Sequence, residues 1–268
     1  MLRLDQGANT QQKGKIMAGP SKVDTIAKRM TFLRSVPLFA DLSETDLKTL
    51  VTDFRLREYG KDEIIFHQED NSNELYVVMD GKVRIFVISP SGSETSLEIF
   101  GQRGVIGEYA TIDNIPRSAT AKAIVPTTLL QMMADRFLHH MRQMPDLAIA
   151  MTKLLVAKSR RTAVFAETIA QYDAAGRLLH RLLVYNETMG EEIEPDKQYV
   201  IDLGLNQTDL ASLVGARREW VNRILRDWRK RGLIKYSAGK IFIMDLPRVR
   251  AERDSRIEAN HQNNGGVW

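Results

Sequence analysis

Between Gly107 and Ser118 the chain reads Gly-Glu-Tyr-Ala-Thr-Ile-Asp-Asn-Ile-Pro-Arg-Ser, which puts a carboxylate, Glu108, and a guanidinium, Arg117, at the two ends of one small loop. That combination suits a sugar phosphate. Gly107 lets the backbone come close to a ligand and opens a segment whose N–H groups can face an anion. Glu108 can accept from a sugar hydroxyl while Arg117 forks onto phosphate oxygens, charge-assisted bonds worth roughly 1.5–3 kcal/mol each. Ser118 adds a hydroxyl beside the arginine. The bland alternative is a β-turn closed by a surface Glu–Arg ion pair.

A second set of residues suits a larger polyanion. Residues 205–215 followed by 217–229 have the spacing of a helix-turn-helix, with Asn206 as helix cap, Asp209 three residues on, Leu210, Ala211 and Val214 on the inner face and Gly215 at the turn. In the second helix Val221, Ile224, Leu225 and Trp228 share one side, which turns Glu219, Asn222, Arg223 and Arg226 outward and leaves Arg218 at the exposed N-terminal end. Arginine forks onto O6 and N7 of guanine and glutamate accepts from N4 of cytosine, each pairing discriminating by about 1–3 kcal/mol. Charge distribution agrees. Residues 201–250 hold eleven Lys or Arg against five Asp or Glu, a surplus of six on a chain whose formal net charge is only +4. About half of the basic run 226–231 reads as solvated helix face.

Composition narrows the alternatives. The chain has 268 residues, enough for two ordinary domains, and 43% of them are apolar. It has no cysteine, which excludes disulfides, thiolate metal sites and cysteine-held iron–sulfur clusters. Five scattered histidines, no nucleophile–base motif and no metal-ligand spacing give no support to an enzyme or a metal centre. No run approaches the roughly 18 apolar residues of a membrane span and no apolar leader is visible, so a cytoplasmic protein without a membrane partner is expected.

These residues need elements to hold them. Residues 1–22 are polar and aperiodic and read as a flexible tail, with Met17 as an alternative start. Two helical pieces broken at Pro37 follow, the second with Ser43 as N-cap and Asp46 three residues on. Over residues 54–133 the pattern changes to short strands at 63–66, 75–79, 83–88 and 95–100, with Asp80-Gly81 as a two-residue hairpin signal, predicting a small barrel or jelly roll. Residues 137–172 are helical, with Pro145-Asp146 opening the long member. Ala148, Met151, Leu155, Lys158, Thr162, Phe165 and Ile169 alternate as the a and d positions of a coiled-coil seam, Lys158 and Thr162 fixing register or reaching water. A further helix over 178–186, an acidic loop over 187–195 and a β-wing around Ala238-Gly239 complete the pattern. Residues after 250 read as a frayed polar tail.

Phe100-Gly101-Gln102-Arg103-Gly104-Val105-Ile106-Gly107-Glu108, followed eight residues later by Pro116-Arg117-Ser118-Ala119-Thr120-Ala121, resembles the phosphate-binding cassette of cyclic-nucleotide-binding domains. Val214 to Leu225 resembles the recognition helix of the catabolite-activator, or CRP/FNR, family, with Arg218, Glu219 and Arg223 at the base-reading places; the resemblance covers about residues 36–246. It implies a β-roll sensor, a dimer helix on which Thr162 meets the base and Lys158 pairs with Glu108, and a hinge at Asp173-x-x-x-Arg177. It also implies a TGTGA-like half-site. Three departures stand out: Glu69 where the family has a turn glycine, Arg217 where it prefers a Ser or Thr helix cap, which exchanges about 1 kcal/mol of capping for a phosphate contact, and Trp220 where it has a small residue.

The expectation is therefore an α+β chain. It comprises a tail (1–22), a cyclic-nucleotide-binding β-roll (23–144), a dimerisation helix (145–171), a winged helix-turn-helix (172–250) and a polar tail (251–268). Its expected function is that of a homodimeric, DNA-binding transcription regulator controlled by a cyclic nucleotide, with cyclic AMP the first choice as effector. The effector would be held by Gly107, Glu108, Arg117, Ser118, Lys158 and Thr162. A palindromic operator would be read by Arg217, Arg218, Glu219, Asn222 and Arg223, with RNA polymerase a further candidate partner. Four readings stay open beside it: a cyclic dinucleotide such as cyclic di-GMP, a ligand-independent constitutive regulator, a sensor that regulates an enzyme or channel, against which the reader helix with Arg218, Glu219 and Arg223 speaks, and, weakest, haem ligation through His67 or another histidine.

Overall fold

The computed structural model describes residues 26–263, with side chains described to residue 257. The tail expected over residues 1–22, with Met17, lies outside these. Two short helices, α1 (Ile26–Arg34) and α2 (Glu44–Val51), lead into eight strands: β1 (Arg55–Tyr59), β2 (Ile64–Phe66), β3 (Leu75–Asp80), β4 (Val83–Ile88), β5 (Glu94–Phe100), β6 (Val105–Ile106), β7 (Thr120–Ala123) and β8 (Thr127–Met132). A six-residue helix, α3 (Glu108–Asp113), sits between β6 and β7. Ser43 caps α2 by accepting from the amide of Asp46, as its spacing predicts.

The strands form two antiparallel sheets, in the orders β1-β8-β3-β6 and β2-β7-β4-β5, stacked as a β-roll. Leu129, Val78, Val83 and Ala121 fill the space between them. The Asp80-Gly81 turn is not the predicted hairpin, because β3 and β4 lie in different sheets. Gly81 has φ 89°, and a Cβ there would stand 2.5 Å from Thr127 Oγ1, so this turn carries the chain around a sheet corner under the start of β8. The real hairpin joins β4 to β5, closed by Ser89 N–H to Ser93 O at 2.9 Å.

Helix α4 (Ala134–Gln143) turns at Met144 into α5 (Pro145–Gln171), 27 residues long with proline in its first turn, where no amide is needed. The face predicted as the coiled-coil seam is largely taken by the chain's own domains. Met151 is buried in the sensor core, Leu155 packs against it, and Lys158 turns onto Glu108. The stripe left exposed lies one residue further round: Ile149, Thr152, Val156, Ser159, Ala163 and Ala166, again at alternating spacings of three and four. A helix that must also close a β-roll commits larger side chains inward, so Met151, Leu155 and Lys158 of the expected seam serve the chain's own sensor while Thr162 and Ile169 stay exposed.

The C-terminal part comprises α6 (Ala174–Met189), β9 (Glu191–Glu194), β10 (Gln198–Asp202), α7 (Gln207–Ser212), α8 (Arg218–Lys230), β11 (Ile234–Ser237), β12 (Lys240–Ile243) and α9 (Leu246–Asn263). Its sheet runs β11-β12-β10-β9. The acidic loop expected over 187–195 is the end of α6 followed by β9, an edge strand carrying Glu191, Glu192 and Glu194. The frayed tail expected after residue 250 is helix as far as Asn263. Its charges, solvated by composition, are paired: Glu252 with Arg231 and with Arg256 (2.7 Å), and Arg256 with Asp173 at 2.9 Å.

One buried guanidinium joins the two parts. Arg84 on β4 donates to Ser96 (2.6 Å) and Glu94 (2.6 Å) within the sensor, and to Asp209 (3.3 Å) and Ser212 (3.0 Å) on α7. Ile99 and Ile124 of the sensor enter the C-terminal core beside Leu179, Leu182 and Leu210.

Candidate functional site

Gly107, Glu108, Arg117, Ser118, Lys158 and Thr162, drawn from a loop, a strand edge and a long helix, all line one cavity of about 400 Å³. Gly107 ends β6 and begins α3 with φ 81°; a Cβ there would meet Arg117 Nη1 at 2.5 Å and the Glu74 carbonyl at 2.6 Å. Only glycine meets both demands. Helix α3 opens on the cavity, and the amides of a first helical turn have no acceptors within their own helix.

Glu108 is buried and accepts from Lys158 Nζ at 2.7 Å, while the same ammonium donates to the Val105 carbonyl at 2.8 Å and lies 4.6 Å from the centre of the Phe100 ring. Burial pulls the Lys158 pKa down and the Glu108 charge opposes that pull. The Glu–Lys pairing implied by the resemblance is thus present as a point contact.

Arg117 is engaged within the protein. Its Nη1 donates to the Gly107 carbonyl (2.9 Å), Nη2 to the Glu74 carbonyl (2.8 Å) and Nε to Ser72 Oγ (3.1 Å), with the Phe66 ring 4.1 Å from the guanidinium carbon. The guanidinium holds the carbonyl of Gly107 in the cassette and that of Glu74 just before β3. Of five N–H donors on an arginine, three are engaged here, with a fourth contact to Glu74 Oε2 at 3.3 Å. Ser118 beside it is exposed. Thr162 is exposed on α5, its hydroxyl donating back to the Lys158 carbonyl at 3.1 Å. The turn at Glu69 keeps a glycine-like shape despite the substitution: Glu69 has φ 69°, and its amide donates to the Arg117 carbonyl at 2.8 Å.

Sequence reasoning missed the cavity's other wall. His180, Arg181 and Val184 of α6 line it, together with Arg160 and Arg161 of α5. The visible signal was Arg181 itself, a charge set among Leu178, Leu179, Leu182 and Leu183 where an amphipathic helix should be apolar.

On the other face, α7 carries a full capping box between Asn206 and Asp209, and Gly215 turns with φ 65°. Val221, Leu225 and Trp228 bury one side of α8, while Arg217, Arg218, Glu219 and Arg223 are exposed and Asn222 is half-buried. Arg217 occupies the N-cap without a side-chain hydrogen bond, and Trp220 packs against the domain core. The five predicted DNA-facing residues therefore share the first two turns of one helix and its cap.

The cyclic nucleotide-binding domain model matches residues 56–144, and the Crp-like helix-turn-helix domain model matches residues 176–252. The chain belongs to the CRP/FNR family of transcription regulators. It is 27% identical to the cyclic AMP receptor protein of Thermus thermophilus, over 80% of this chain and 94% of that one. It is 26% identical to a CRP-like cAMP-activated global transcriptional regulator of Mycobacterium tuberculosis, over 79% and 94%. Among solved structures, the c-di-GMP responsive global regulator CLP of Xanthomonas campestris superimposes with a TM-score of 0.63 at 21% identity, covering 75% of this chain and 99% of that one, which supports the fold. The family's members are DNA-binding regulators and not enzymes, in line with the sequence expectation. No helix among the described residues is long and apolar enough to cross a membrane, and no cluster of His, Asp or Glu among them is arranged to hold a metal ion.

Proposed function

We propose that the protein is a homodimeric, sequence-specific transcription regulator of the cytoplasm, switched by a cyclic nucleotide for which cyclic AMP is the first candidate. One observation carries this reading: four residues chosen for sugar-phosphate chemistry and two, Lys158 and Thr162, implied by the family resemblance, from segments up to 55 positions apart, converge on one cavity. The two relatives whose names specify cyclic AMP support the choice of effector. A ribose hydroxyl would compete with Lys158 for Glu108, and a phosphate would draw on the cassette amides and the remaining Arg117 donor. Thr162 on α5 would meet the base.

The exposed stripe from Ile149 to Ala166 is the surface on which a second copy would pack, its small and β-branched residues allowing close helix approach. A ligand seated between α3 and α5 then biases that seam and the hinge at Asp173. The two α8 helices would come about 34 Å apart on a palindromic operator, with Arg218, Glu219 and Arg223 at base edges and Arg217 at a phosphate. RNA polymerase is the further partner such a regulator would meet at a promoter.

A constitutive reading draws on a specific observation as well, since Arg117 and Glu108 are already satisfied by protein partners. Calorimetric titration with cyclic AMP, cyclic GMP and cyclic di-GMP separates the readings. Micromolar binding of one of them, with tighter DNA binding in its presence, is expected; no heat with any, together with ligand-independent binding to a palindrome, favours the constitutive form. Arg117→Ala alone is an unclean control, because it strips two buried carbonyls of their donors. Ser118→Ala, at an exposed position, accompanies it.

A further inference from the structure

Helix α6 belongs to the DNA-reading part of the chain, yet its Arg181 is a wall of the effector cavity. The residue is 8% exposed. Its Nη2 donates to the Leu97 carbonyl on β5 at 2.9 Å, and its guanidinium carbon lies 4.0 Å from the centre of the Phe165 ring on α5. Its Nε, equally buried, has no hydrogen-bond partner in the protein. A buried charged donor left unpaired costs free energy that the fold recovers only if something else supplies the acceptor.

The cavity defines what that acceptor belongs to. Lys158 marks one end of the α5 wall, where it meets Glu108, and Phe165 under Arg181 marks the other, about 10 Å further along at the rise of an α-helix. A nucleotide held at Glu108 by its ribose would extend its base along this wall past Thr162. The lining is strongly cationic, with Arg117, Lys158, Arg160, Arg161 and Arg181 against Glu98 and Glu108, which suits an anionic ligand. His180, next to Arg181, has its pKa lowered by burial and by the nearby Arg253 and Arg181 charges, so it adds polarity and not a further cation at neutral pH.

We infer that Arg181 contacts the effector directly, its guanidinium turning off the Phe165 ring so that the unpaired Nε–H, sealed from the cavity in the structure, donates to a hydrogen-bond acceptor at the end of the ligand away from Glu108. This rests on the cyclic-nucleotide reading above and deepens it. The acceptor is a purine ring nitrogen or carbonyl in a cyclic mononucleotide, or the second phosphate in a cyclic dinucleotide; both present the same oxygen or nitrogen lone pair to the guanidinium. The ligand then touches the sensor through Glu108, the long helix through Lys158 and Thr162, and the reader domain through Arg181. Occupancy would be transmitted to α6 by a hydrogen bond as well as through α5.

The experiment titrates wild type, Arg181→Gln and Arg181→Lys with cyclic AMP, cyclic GMP and cyclic di-GMP by calorimetry. It also follows the arginine Nε–H resonance of the wild type that Arg181→Lys removes from the spectrum. The tightest wild-type ligand is expected to lose tenfold or more in affinity in Arg181→Gln, and the assigned Nε–H proton to move downfield when that ligand is added. Which ligand produces both effects tells base from second phosphate. Undiminished affinity in the variants, or a resonance that saturating ligand leaves in place, overturns the contact while leaving the effector reading intact. A wild type that binds none of the three overturns both. If Arg181→Gln does not fold, the Lys variant and the wild-type resonance decide between the same outcomes.

Discussion

Glu69 holds a left-handed backbone at φ 69° beside the phosphate cassette, where its amide donates to the Arg117 carbonyl. A non-glycine residue in that region costs roughly 1–2 kcal/mol, part of which glycine would give back as chain entropy. Glu69→Gly is therefore expected to raise stability by about 0.5–1 kcal/mol, seen as a higher denaturant midpoint at unchanged slope. A midpoint that stays or falls would mean the exposed carboxylate compensates for the turn. On α8 the residues divide by what they would touch. Arg223→Ala should cost about 1–3 kcal/mol on the preferred operator and relax selectivity at one base pair. Arg217→Ala should weaken binding to all sequences alike and lower the salt slope by about one. Binding to a set of single-base operator variants at several salt concentrations distinguishes the two, and interchanged results would exchange the assignments.

At the scale of elements, α5 presents two stripes with different duties. Leu155 packs on the sensor core, whereas Val156 stands 47% exposed on the stripe proposed for the second copy. Val156→Glu is expected to shift the protein from dimer to monomer in sedimentation with its melting temperature nearly kept. Leu155→Glu should destabilise the sensor itself, since it buries a carboxylate in an apolar core. A dimer that survives Val156→Glu would place the seam elsewhere. Helix α9 is held by charge: hydrogen bonds from Arg231 and Arg256 lower the pKa of Glu252 from 4.5 to about 2. A depressed carboxylate contributes its stability in full above its unfolded pKa and loses it as pH falls through the folded value. The melting-temperature gap between wild type and Glu252→Gln should thus be widest above about pH 4.5 and close as pH falls towards 2. A gap that does not narrow on that descent would show α9 to be held by packing alone.

Across the whole molecule, Arg84 is the residue on which the relation of sensor to reader turns. Buried to 1% exposure, it satisfies Glu94 and Ser96 on one side and Asp209 and Ser212 on the other. Asp209 also closes the capping box of α7, so one carboxylate serves both the start of the helix-turn-helix and its docking on the β-roll. Arg84→Met should destabilise by about 3 kcal/mol, the low end for a broken buried pair because Glu94 keeps access to water. It should also raise amide exchange in α7 while leaving α5 protected. Equal exchange of α7 in wild type and Arg84→Met would mean that the apolar contacts of Ile99 and Ile124 hold the docking without it.

What the sequence alone determined is local or periodic. The glycine, carboxylate and arginine of the cassette, the N-cap at Ser43, the capping box at Asn206, the proline opening α5 and the helical repeat of α8 all act through neighbours within a few residues, so their signals survive in one dimension. Tertiary structure decided what depends on which surfaces meet. It turned Arg117 onto backbone carbonyls, because a buried guanidinium takes the nearest acceptors. It made Asp80-Gly81 a corner between sheets, since turn chemistry sets a backbone angle and not a strand partner. It turned Met151, Leu155 and Lys158 of α5 onto the sensor, as the helix closed the β-roll. And it brought Arg181 from the reader domain into the cavity, since no spacing along the chain records that α6 lies against β5.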